Sequence, residues 1–189
     1  IFYKFLKEQL IHLANPVLFI LIQLVIYMKH LILIRHAKSS WDNIYLTDFE
    51  RPLAKRGIKD ALLMEKFFIN SGFEPDLILC SPANRTQQTY DIIFSNTYIS
   101  STIFENGLYH AGNAELINII KANSKKINTL AIIGHNPSLH NLLRRLTKKD
   151  FKNFATSAIA CLQIDLEWEK VEEANTELIF FKKPRDFKP

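Results

Sequence analysis

Three short, almost uninterrupted aliphatic runs constrain this chain most: HLILI at 30–34, DLILC at 76–80 and TLAIIG at 129–134. Runs of this length without polar alternation suit strands buried on both faces, the kind found in parallel sheets sandwiched between helices. Between them lie helical patterns. Residues 54–71 place Ile58, Ala61, Leu62, Phe68 and Ile69 on one face, with Gly72 as C-terminal cap. Ser81-Pro82 supplies an N-cap and a first-turn proline for a helix running to about Phe94. Residues 113–123 read as a further helix. Asn136-Pro137 then opens one whose Leu139, Leu142, Leu143 and Leu146 stand at i, i+3, i+4 and i+7. Residues 102–105 suit a short strand. Residues 158–168 and 176–182 read as strands that pair as a hairpin at a sheet edge. The alternation predicts an α/β fold, a three-layer α/β/α sandwich with a mostly parallel central sheet. Residues 36–54 are polar and aperiodic, a long loop of the sort that usually carries function.

A length of 189 residues suits one domain. The net charge of +5 favours anionic ligands only weakly, and no Arg-rich tract is interleaved with aromatics, so nucleic acid is not an expected partner. Cys80 and Cys161 sit in apolar runs and lack a C-x-x-C neighbour; they read as buried, reduced thiols, the usage of a reducing cytosol, so the expected location is cytoplasmic. Residues 16–27 (PVLFILIQLVIY) are apolar but shorter than the roughly 20 residues a spanning helix needs. No small-residue cleavage site follows them. Met28 stands just before the first strand. The expectation is an apolar extension over 1–27 and a functional domain over 28–189, with a membrane anchor over 1–27 as the alternative.

Each buried run ends on residues with chemistry. The first delivers Arg35-His36, the second Ser81-Pro82 with Arg85 one turn on, the third Gly134-His135. In such sheets ligands bind beyond the carboxyl ends of the strands. Two arginines and two histidines would therefore gather beside helix N-termini, which favour anions. A phosphoryl group suits that set: arginine grips phosphate oxygens with a bidentate fork, and a histidine nitrogen can accept the phosphoryl covalently. Singly, each residue has an ordinary reading, a structural histidine or an arginine in a surface ion pair. Their recurrence at equivalent strand ends argues for a site. Walker-type nucleotide hydrolysis is excluded by the lack of a Gly-rich phosphate loop.

LILIRHAKSSWD, DFERPLAKRGIKDA, LILCSPANRTQQT and LAIIGHNPSLHNLL together resemble the histidine phosphatase (phosphoglycerate mutase-like) superfamily, in particular its small SixA-type phosphohistidine phosphatase branch. The resemblance runs from about His30 to the end. It implies a phosphoglycerate mutase-like fold without a large helical insertion, and no metal or organic cofactor. His36 would be the nucleophile, with Arg35, Arg85 and His135 holding the phosphoryl oxygens. Arg51 would line the pocket entrance, and Gly57 matches the glycine near the start of the first family helix. Lys38 and Ser39 lie beside the pocket as candidate substrate contacts. The larger members place a glutamate where this chain reads Asn106-Gly107-Leu108-Tyr109-His110, and Glu105 and Glu115 are off that pattern. Asp48 is the candidate general acid, His110 the second. The expected activity is a phosphohistidine-type phosphatase. Alternatives are a phosphatase of a small phosphorylated metabolite and a catalytically silent phosphoprotein-binding module.

Overall fold

The computed structural model describes residues 28–122 and 127–187. The expectation of an extension or anchor over 1–27 lies outside these residues. Among the described residues no helix is long and apolar enough to cross a membrane.

One six-stranded sheet organises the chain. Its strands are β1 (Lys29–Arg35), β2 (Leu77–Cys80), β3 (Thr102–Phe104), β4 (Thr129–Gly134), β5 (Ile159–Ile164) and β6 (Thr176–Lys182), in the order β3-β2-β4-β1-β5-β6. The β1–β4, β2–β4 and β2–β3 pairs are parallel; β5 runs antiparallel to both β1 and β6. The expected edge hairpin is therefore β5–β6, with a register shift at Cys161/Leu162. It is shorter than its apolar pattern, because β5 stops at Ile164 and Trp168 is buried in a short 3-10 turn, its indole donating to Ile127 O at 3.0 Å.

The three aliphatic runs are buried on both faces because helices cover both. In β1, Leu31 and Leu33 join a core with Leu116, Ile117 and Ile120 of α3 (Asn113–Ala122) and the leucine stripe of α4 (Ser138–Thr147). Ile32 and Ile34 join the opposite core, with Met64 and Phe68 of α1 (Lys55–Ser71) and Ile93 of α2 (Asn84–Ile93). Alternation of side chains across the strand divides neighbouring residues between the two layers.

Two local expectations give way to tertiary demands. The buried face of α1 is Gly57, Asp60, Ala61, Met64, Glu65 and Phe68, whereas Ile58, Leu62 and Ile69 are exposed. Two carboxylates can lie on that face because they have partners: Asp60 pairs with Arg56 at 3.4 Å, and Glu65 accepts from Ser95 and Asn96. Neither Ser81 nor Asn136 caps a helix. α2 starts at Asn84 after Ala83, and α4 starts after Pro137, which follows a cis peptide. Both side chains are used at the site instead. Gly72 does cap α1, at φ 72°, the left-handed region that glycine enters without a steric penalty.

Candidate active site

Strand register assembles the site. Arg35 lies opposite Gly134, and Cys80 opposite Ile133, so His36, His135 and Ser81 leave one sheet edge together. The His36 and His135 rings lie 5.1 Å apart, centre to centre. Backbone bonds fix the nucleophile candidate from both sides. His36 N donates to Gly134 O at 3.0 Å, and Ser157 N donates to Arg35 O and His36 O at 3.1 and 3.2 Å. Ser157 makes this double bond at φ 59°, left-handed backbone that a non-glycine residue adopts only when its surroundings demand it.

The His36 ring has a defined tautomer. Its Nδ1 lies 2.7 Å from Ala37 O, which can only accept, so Nδ1 carries the proton and Nε2 holds a free lone pair. Ala37 is anchored in turn, its N–H donating to Thr89 Oγ1 at 2.9 Å. Burial is the main force lowering the His36 pKa, to about 4, and the charges of Arg85 and Arg35 add to it. The ring is therefore neutral at neutral pH.

His135 is held by Ser81 Oγ, 2.8 Å from Nε2, with Arg85 Nη2 3.4 Å from Nδ1. Since arginine only donates, the consistent arrangement has Nδ1 accepting and Nε2–H donating to Ser81. Burial first, then neighbouring His36 and Arg85, lowers its pKa to about 3. Arg35 donates through Nη1 to Phe154 O at 2.8 Å, and Asn136 Nδ2 reaches the same carbonyl at 3.0 Å.

Arg85 is buried in the first turn of α2, with Asp48 in its fork. Nη1 donates to Asp48 O, and Nη2 to Asp48 Oδ2 at 2.9 Å. The same carboxylate accepts from Arg51 Nη1 at 2.8 Å and from Tyr109 OH at 3.0 Å. Burial alone would raise the Asp48 pKa. The Tyr109 hydrogen bond and the Arg85 and Arg51 charges outweigh it and hold the carboxyl below its ordinary value.

The structure brings Arg35, His36, Arg85, His135 and Asp48 together. Lys38 is exposed and lines an adjoining cleft. Arg51, whose Nη1 also holds Asp48, and Ser39 brace the loop beside the site. Buried Arg51 donates to Ser40 O at 2.9 Å and to Ser39 Oγ, and its guanidinium stacks 3.2 Å from the centre of the Trp41 ring. His110 packs on Tyr109, 4.0 Å between rings, at φ 63°. Gly57 earns its place by contact: a Cβ there would lie 2.1 Å from Lys38 O, two residues from the nucleophile candidate. Sequence reasoning overlooked Tyr109, Thr89, Phe154 and Ser157. Among the described residues no three His, Cys, Asp or Glu side chains converge as a metal site.

The family model for the histidine phosphatase superfamily (branch 1) matches residues 31–108, from inside β1 through Arg85 to the 3-10 turn before Tyr109. An uncharacterised protein of Mycobacterium leprae is 30% identical over 164 residues, covering 80% of this chain and 99% of the relative. The chain belongs to the histidine phosphatase superfamily. Solved structures of SixA proteins share its form of the fold. One is from Agrobacterium tumefaciens, provisionally a phosphohistidine phosphatase (26% identity, TM-score 0.71, 82% of this chain and 99% of that chain). Another is the protein histidine phosphatase SixA complexed with tungstate (23% identity, TM-score 0.70, 84% and 99%). Among the described residues no large helical insertion interrupts the sheet.

Proposed function

We propose that this chain is a phosphatase that transfers a phosphoryl group from its substrate to Nε2 of His36 and releases it to water, with phosphohistidine as the substrate class. The observation that carries the reading is the His36 tautomer. A neutral ring whose Nδ1–H is committed to Ala37 O presents Nε2 as an unshared lone pair beside Arg35, Arg85 and His135. In the first step the Nε2–P bond forms as the bond from phosphorus to the leaving group breaks. In the second, water attacks phosphorus, orthophosphate departs, and the nitrogen lone pair returns. The arginines stabilise charge on the equatorial oxygens in both steps.

The leaving-group side favours a phosphoramidate over an ester. Expelling an alkoxide needs a proton donor, whereas an imidazole leaves more easily. Asp48, the carboxylate that lies at the site, is a depressed-pKa partner of Arg85. A substrate phosphoryl group entering the fork of Arg85 displaces Asp48 and frees its carboxyl for the leaving group, which gives it a secondary role as acid. That same freed carboxyl is what favours the alternative, a phosphatase of small phosphate esters.

Rapid quenching with a phosphorylated substrate tests the core of the proposal. Acid-labile phosphate is expected on His36 of the native chain and absent from His36→Ala. A substrate panel of phosphohistidine peptide, phosphoserine peptide and small phosphate esters then separates the two substrate readings. Turnover by His36→Ala would overturn both, and binding without any labelled intermediate would leave only the phosphoprotein-binding reading.

A further inference from the structure

Beside the site lies a second, open cleft of about 430 Å³, lined by Arg35, Lys38, Arg56, His140, Lys152 and neutral residues that include Asn136. Neither His36, His135 nor Arg85 lines it. Arg35 is the shared wall, facing the cleft while its neighbour in sequence, His36, holds the phosphoryl-accepting nitrogen. The volume falls within the range of small-ligand pockets, but the lining does not suit an apolar ligand. Among the described residues four cationic side chains face the space and no carboxylate lines it. Only Arg56 is offset, by Asp60 in the adjoining pocket, where Lys183 and Arg185 extend the positive lining. Lys38 and Lys152 are exposed and have no ion pair among the described residues. On a chain with a net charge of only +5, this concentrates positive potential at one flank of the active site.

We infer that this cleft is an anion subsite for a second negatively charged group on the substrate, adjacent to the phosphoryl group that His36 accepts. The inference rests on the phosphatase reading above and narrows its substrate class. The chemistry required is an anion reached from the same molecule: an acidic side chain flanking a phosphohistidine, or a second phosphate on a small ester. Lys152 and Arg56 act on binding alone, because neither lies among the groups around His36. The loop over 41–50 exposes Trp41, Ile44 and Tyr45 together with the carboxylates Asp42 and Glu50 and carries no lysine or arginine, so the positive charge of the cleft also orients the substrate.

The test uses the full chain and Lys152→Glu, with Lys152→Gln as the milder variant and thermal midpoints to verify folding. Two phosphohistidine peptides differ only in having acidic or alanine flanks, and two sugar phosphates differ in having one or two phosphates. On the native chain KM is expected about three- to tenfold lower for the acidic peptide, with kcat unchanged. Lys152→Glu abolishes that preference and leaves the alanine-flanked peptide unaffected. If neither peptide is turned over but the sugar phosphates are, the phosphohistidine assignment falls. The cleft then stands or falls on a KM preference for the bisphosphate that Lys152→Glu removes. Equal KM values within the pair that is turned over, or an equal effect of Lys152→Glu on both members, overturns the subsite. Failure of all four substrates overturns the phosphatase reading and this one with it.

Discussion

His36 and Asp48 stand at the two ends of one chain of contacts, through His135 and Arg85, and are held by different means. His36 is fixed by strand register, by a backbone bond given to Gly134 O and one accepted from Ser157 N–H, and by its own neighbouring carbonyl. Asp48 sits on an exposed loop and is fixed by three side chains, Arg85, Arg51 and Tyr109. Backbone restraint cannot adjust without moving the sheet. Side-chain restraint exchanges readily, because an incoming anion can take the place of the carboxylate on arginine. On the proposed mechanism, the contrast puts phosphoryl transfer at the rigid corner and leaving-group and substrate selection at the adjustable one.

Removing the rigid corner has the largest expected effect. His36→Ala should lower kcat/KM by at least about 10⁴-fold on every substrate, because the covalent route is lost rather than weakened. Steady-state assay with phosphate release measures this. Arg85→Ala should cost about 10²–10³-fold through loss of charge stabilisation at the phosphoryl oxygens. A loss confined to KM would show that Arg85 only binds.

The adjustable corner should be selective. Asp48→Asn is expected to lower turnover of phosphate esters by about 10²-fold and that of phosphohistidine by less than about threefold. Equal losses on both would remove the acid role and leave Asp48 as a loop anchor. Gly57→Ala tests the coupling of scaffold to site. Its methyl group would meet Lys38 O, so the 36–38 segment or α1 must shift, at a cost of about 1–3 kcal/mol in stability, read as a lower denaturation midpoint with reduced kcat.

The smallest effect expected is that of mild acid on activity. Since His36 and His135 are lowered from 6.5 to about 4 and about 3, kcat should change by less than about twofold between pH 7.5 and 5.5 and fall as pH approaches 4. Stability follows the same sign. Protons bind the unfolded chain more readily than the folded one below pH 6.5, so stability is full above that value and declines as pH falls toward 4. Denaturant midpoints at pH 7.5 and 5 measure the slope, and a midpoint that rises in acid would contradict the buried, neutral histidines.

The sequence made the rigid corner legible and hid much of the rest. HLILI and TLAIIG announce strands buried on both faces, and the polar residues ending them, Arg35-His36 and His135, have no role in a core. Ser81 was visible but misread. Its hydroxyl bonds a histidine on another strand, whereas local rules make it a helix cap. The face of α1 was misread because buried Asp60 and Glu65 find partners that periodicity does not display. Arg51 was legible as a cation near the site, but its bonds to Ser40 O and Ser39 Oγ, which brace the loop carrying Asp48, leave no pattern in the sequence. Phe154 and Ser157 act through backbone groups, which leave no side-chain signature.

The position of β1 has a consequence for synthesis of the chain. Its hydrogen-bonding neighbours are β4 and β5, both from the second half of the sequence, and the backbone donor to Arg35 and His36 is Ser157. Closing contacts this remote in sequence is the slow part of folding. The motif proposed to carry the chemistry thus emerges early from the ribosome but cannot complete its geometry until β4, β5 and Ser157 have followed. A chain truncated before Ser157 would contain every proposed catalytic residue and still lack an organised phosphoryl pocket.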